Sequence, residues 1–228
     1  MIDAQLIWLI GTAASLGFLH TLLGPDHYVP FLALSRARGW SIRKTACITG
    51  ICGLAHVGSS VGIGIAGLSL NHKLASLEAF EALRGNIVAW LIIAFGLAYM
   101  VWGIKRAFSI KHQQPLMEKL EKPHSMPGTT KKSYKQLLPW ILFVIFLLGP
   151  CEPLIPLLMF PAASISTMSI ALVAGTFGIV TMATMITVVV LPLYGVHKVK
   201  IPGLQTYGHA LAGSLIMLCG IGVQFLGL

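Results

Sequence analysis

Residues 22–34 read Leu22-Leu-Gly24-Pro25-Asp26-His27-Tyr-Val-Pro-Phe-Leu-Ala-Leu34, and residues 147–159 read Leu147-Leu-Gly149-Pro150-Cys151-Glu152-Pro-Leu-Ile-Pro-Leu-Leu-Met159. The stretches lie 125 positions apart, and each interrupts an apolar run with Gly-Pro before placing two ionisable residues, Asp26-His27 in one and Cys151-Glu152 in the other. Proline lacks the backbone donor that a continuing helix needs, so a regular helix is predicted to stop at each pair. In hydrocarbon a broken helix and an ionisable side chain are both costly, and a chain that keeps both twice points to a polar path through a membrane.

Composition agrees about the solvent. The 228 residues are 56% hydrophobic and 10% charged, with a mean hydropathy of +0.82, well above an ordinary soluble domain. Apolar runs at about 5–35, 45–70, 85–104, 137–163, 166–194 and 207–228 each exceed or approach the roughly 20 residues that cross a bilayer as helix. Six transmembrane helices are therefore expected in an all-α integral membrane protein. The first run is too long to cross straight and should bend at Gly24-Pro25. With Asp3 and no basic segment at its start, the first span is expected to be retained and not cleaved as a signal.

Fourteen of the 16 basic residues follow the first span, surround the connection between the third and fourth, or lie between the fifth and sixth, leaving Lys73 and Arg84 on the other side. The positive-inside rule then predicts cytoplasmic basic loops and both termini outside. This distribution accounts for the net charge of +9 without a nucleic-acid partner. The stretch 107–136 reads as a basic linker between a first three-helix unit, 1–106, and a second, 137–228.

The offset of 125 also matches Gly53 to Gly178, His56 to Thr181 and Ser59 to Thr184, while Leu91-Ile92 matches Leu215-Ile216 at 124 and brings Asn86 near the counterpart of His209. Three spans per unit force the second to enter the membrane upside down. The expectation is a 3+3 inverted repeat whose two broken helices meet near the midplane.

Within these nearly charge-free stretches, His20, Asp26, His27 and His56 stand in one half and Cys151 and Glu152 in the other. Imidazole, thiolate and carboxylate together suit a borderline divalent ion of the nickel, cobalt or zinc class, where magnesium or calcium would favour oxygen alone. Such an ion would be a transported substrate, with no permanently held cofactor and no enzymatic site expected. Ser59, Thr181 and Thr184 are candidates to line its path. The bland alternatives are a histidine hydrogen-bonded across to a neighbouring helix and, for the glycines around His56, close helix packing. Cys47, Cys52 and Cys219 read as small core residues, and His72, His112, His124 and His197 as loop histidines. Pro150, Pro153, Pro156 and Pro161 make a regular helix after the second break unexpected.

His20-Thr-Leu-Leu-Gly-Pro-Asp26-His27 resembles the His-x4-Asp-His signature of NicO/UreH-type nickel/cobalt transporters, and Gly53-Leu-Ala-His56-Val-Gly-Ser59-Ser60 is similar to their second-span motif. The resemblance implies six or more spans and nominates His20, Asp26, His27 and His56 as metal-binding. Five residues, not four, separate His20 from Asp26, which leaves the direction of His20 open. A competing resemblance is that of Gly149-Pro-Cys151-Glu-Pro-Leu-Ile-Pro156 to the Pro-Cys-x-x-Pro segments of CcdA-like thiol-disulfide carriers, within the same broad inverted-repeat group. Those carriers pair two cysteines, and here the partner position is Asp26. Export of a small sulfur-containing anion on the related scaffold is a third reading, and a non-transporting accessory role a fourth. The leading expectation is alternating-access transport of a divalent transition metal between bilayer faces, with self-association, direction and coupling ion left open.

Overall fold

The computed structural model describes residues 4–70, 74–119, 133–162, 167–196 and 204–227. These residues form helices and no strand: α1 (Ala4–Leu23), a 3-10 turn (Pro25–His27), α2 (Val29–Arg38), α3 (Ile42–Ser69), α4 (Leu74–Lys119), α5 (Ser133–Leu148), α6 (Leu154–Ala162), α7 (Thr167–Val196) and α8 (Leu204–Leu226). Five helices, α1, α3, α4, α7 and α8, are long and apolar enough to cross a membrane. The run expected as one span over 137–163 is divided instead into α5 and α6. Large apolar side chains cover the outside of the bundle, among them Trp8, Leu54, Trp90, Trp140, Ile179 and Phe225. An apolar exterior of this extent belongs against lipid.

Both Gly-Pro pairs stop a helix where expected. Of the prolines beyond the second break, Pro153 precedes α6 and Pro156 falls in its first turn, where no intrahelical partner awaits the missing N–H, while Pro161 is the next-to-last residue of the helix. The third apolar run begins earlier than its hydropathy indicated, since α4 starts at Leu74 and carries Arg84 inside the helix rather than in a loop. The same helix continues through 107–119, the first part of the expected linker, and contains the backbone of His112. His72, His124 and His197 lie outside the described residues.

Two antiparallel seams organise the interior. In the α4–α8 seam the backbones touch: a β-carbon added at Gly96 would collide with the backbone of Met217, one at Gly213 with that of Met100, and one at Gly220 would lie 2.9 Å from Ile93. In the α3–α7 seam a β-carbon at Gly53 would lie 3.2 Å from Met185 and 3.7 Å from Met182, and one at Gly178 2.9 Å from Val57. Small residues permit this approach where lipid offers no hydrophobic drive for helix association. Around the seams α1 packs on α7, α5 on α3, α2 on α8 and α6 on α4. Cys52 and Cys219 are buried as expected, whereas Cys47 is exposed on the outer, lipid-suited face of α3.

Candidate metal centre

The first break satisfies its own backbone. Gly24 N–H donates to the His20 carbonyl at 3.0 Å, His27 N–H to Gly24 at 3.1 Å, and Tyr28 N–H to Pro25 at 3.3 Å, so the chain turns once in 3-10 form and restarts as α2. Gly24 also makes room, because a β-carbon there would lie 2.6 Å from His27 Nδ1 and 2.9 Å from Asp26 Oδ1. The ring of His27 can therefore fold back against its own turn. Its Nδ1 lies 3.0 Å from Asp26 Oδ1 and 3.2 Å from the Gly24 carbonyl, two acceptors that place the hydrogen on Nδ1. In the neutral ring Nε2 then carries the lone pair.

That nitrogen faces His56 Nε2, from α3, at 3.3 Å. His20, from the last turn of α1, closes the group, its ring centroid 4.7 Å from that of His27. Each histidine offers one ring nitrogen, and the three lie within 4.8 Å of one another. Ligands about 2.1 Å from an ion at tetrahedral angles would be roughly 3.4 Å apart, close to the His27–His56 spacing. His20 Nε2 and His56 Nδ1 are buried without a hydrogen-bond partner. Buried ring nitrogens ordinarily have partners, so the open His20 Nε2 suits a ligand shared among the rings, whereas His56 Nδ1 is on the ring edge facing Gly149, opposite the nitrogen that meets His27.

The second break contributes differently. Gly149 spaces its chain from His56, since a β-carbon there would lie 2.9 Å from Nδ1. The backbone groups that Pro150 leaves open are met by an ion pair that the sequence had not suggested. Arg84 Nη2 donates to the Leu147 and Gly149 carbonyls at 3.2 and 3.1 Å, while Cys151 N–H donates to Glu81 Oε2 and Ser60 Oγ at 3.2 and 3.1 Å. Arg84 Nη1 pairs with Glu81, and Ser60 also donates to Glu81. Ser59 accepts from Arg84 and donates to the His56 carbonyl, so it links this network to the histidine helix instead of facing an open path. The legible signal was the Glu-x-x-Arg spacing, which puts both side chains on one helical face continuous with the apolar run.

The sequence-nominated residues thus separate. His20, His27 and His56 form the centre, and Asp26 orients His27. Glu152 is exposed on a cavity of about 610 Å³ that is lined from both breaks, by His20, Asp26 and His27 on one side and Pro150 and Glu152 on the other. Cys151 is not among the clustered ligand groups: it is fully buried with Ala13, Leu154, Leu158, Val173 and Phe177, while Cys52 belongs to a different apolar cluster. Thr181 and Thr184 are buried on α7, the Thr181 hydroxyl unpartnered and 3.0 Å from where a Gly17 β-carbon would stand. Asn86 lines the cavity, whereas His209 lies against Tyr99. Comparison with family models, with curated proteins and with solved structures returns no match to this chain.

Proposed function

We propose that this chain is a multi-pass membrane transporter for a divalent transition-metal ion of the nickel, cobalt or zinc class. The observation that carries the reading is the convergence of three histidines, one already held in a metal-ready tautomer by a carboxylate, two of which, His20 and His27, line a cavity that also reaches the second broken helix. A carboxylate behind a histidine is the recurrent support for a metal ligand. Three histidines and an aspartate gathered within apolar helices would otherwise be a heavy cost. The anion-export reading is weaker because the buried cation, Arg84, already directs its donors at Glu81, Ser59 and two carbonyls. The thiol-carrier reading is weaker because Cys151 and Cys52 sit in separate clusters.

A 3+3 inverted repeat, with alternating access around the midplane, is part of the proposal. Its support is reciprocity. Gly53 approaches Met182 while Gly178 approaches Val57, the same contact with both members shifted by 125; Gly96 approaches Met217 while Gly220 approaches Ile93, the same contact shifted by 124. A two-fold relation between halves requires such exchanged pairs, as when α1 packs on α7 and α5 on α3. The basic loops are assigned to the cytoplasm and both termini to the outside.

The test is metal titration calorimetry on purified protein, followed by flux into proteoliposomes. Nickel, cobalt or zinc is expected to bind with one ion per chain and to cross the membrane, and His27→Ala should abolish both. Binding that survives His27→Ala unchanged, or flux without any of these ions binding, would refute the assignment.

A further inference from the structure

Away from the three clustered histidines, cations gather without an anion among the described residues. Arg38, which closes α2, donates from Nε to the Tyr99 hydroxyl at 3.1 Å, and that hydroxyl is hydrogen-bonded to His209 Nδ1 at 2.8 Å. The Arg38 guanidinium lies 5.3 Å from the centre of the Trp102 ring, and that of Arg106 lies 5.4 Å from the same ring. Lys44 stands 5.3 Å from the centre of the Trp40 ring. Between them is a cavity of about 220 Å³ lined by Arg38, Gly39, Trp40, Ser41, Lys44 and Leu138. The carboxylates whose side chains are described, Asp26, Glu78, Glu81 and Glu152, all line the cavities beside the two breaks. None faces this one.

Like charges brought this close repel, and aromatic faces only partly offset the repulsion. A guanidinium with its fork uncommitted to a carboxylate, an ammonium and a hydroxyl around one small cavity match the oxygens of a phosphate group. The placement between helix ends, with Leu138 as one apolar wall, matches a headgroup site at the rim of a membrane span. We infer that the Arg38–Ser41–Lys44 cavity binds a phosphate-bearing anion, with an anionic phospholipid headgroup as its main source. The inference needs the chain to span a bilayer and does not rest on the metal assignment.

Protein purified in neutral detergent is melted with phosphatidylglycerol, with phosphatidylcholine, or with inorganic phosphate. Phosphatidylglycerol should raise the melting temperature by a few degrees and phosphatidylcholine should not, and Arg38→Gln and Lys44→Gln should each lose most of that rise. Lys44 is exposed, so its variant preserves a folded reference if Arg38→Gln does not fold. A rise with inorganic phosphate that the variants also lose would support the site with a soluble source. His27→Ala should respond to phosphatidylglycerol as the unmodified protein does, whatever its metal binding. Equal rises in the unmodified protein and Lys44→Gln, or no rise with either phosphate probe, would overturn the inference.

Discussion

Asp26 lies outside the cluster of three histidine nitrogens, and its contact with Nδ1 decides which nitrogen of His27 is available for an ion. Asp26→Asn keeps the shape but can turn its amide donor toward Nδ1, so metal affinity should fall by about 10–100-fold, measured by calorimetry. Because protons compete with a cation for the same ring nitrogens, binding should also weaken as the pH is lowered, and an affinity that does not change with pH would place the ion elsewhere. The glycines of both motifs give a second residue-scale check. Gly149→Ala should lower affinity without removing any ligand, because the added carbon displaces His56. Much of this centre was legible in the chain: Asp26, His27 and His56 are ionisable residues in apolar helices, which is a strong signal. The direction of His20 was not, since it depends on how one 3-10 turn redirects the chain after Leu23. The assignment of Cys151 followed residue type alone, and only packing reveals that its side chain goes to an apolar cluster.

At the scale of elements, the two breaks look alike in sequence but are held differently. The first closes through its own backbone, whereas the second depends on Arg84 and Glu81 from α4. Removing one member leaves a buried charge without its partner, so Arg84→Ala should cost about 3–5 kcal/mol. The pair Glu81→Gln with Arg84→Gln should cost less than the two single losses combined, as a double-mutant cycle on melting in detergent would reveal. Additive losses would mean that the pair does not act as a unit. Hydropathy began the third span at 85 and set Arg84 in a loop, because a window average cannot register that a charge is neutralised by a neighbour three residues away. The α4–α8 seam was hidden for a related reason: glycines at 96, 213 and 220 gain meaning only when the facing helix is known. Gly96→Val should destabilise by at least about 1–3 kcal/mol, since the obstacle is backbone and cannot swing aside.

For the whole molecule, helical class and membrane-spanning character followed from composition and run length, and those are the properties that hydropathy measures. The proposed doubling draws on Gly24-Pro25 and Gly149-Pro150 in the sequence and on exchanged contacts that no single-chain pattern displays. One expected outcome tests it directly. If the chain is divided within 120–132 and the pieces are made together, they should copurify as one particle; either piece made alone should aggregate. A monodisperse single piece would show that each half builds its own core.

The crossing of partners, α1 on α7 and α5 on α3, also sets an order in time. During synthesis α1 emerges first, but its packing surface is among the last to be made. Until α7 follows, the Gly17 face of α1 has no partner, and His20, though it can meet His27 and His56, lacks the Phe177 side of its surroundings. The newborn first half is therefore the vulnerable stage of this protein's life, and substitutions that delay the arrival of α7 should show first as lost yield and only afterwards as lost activity.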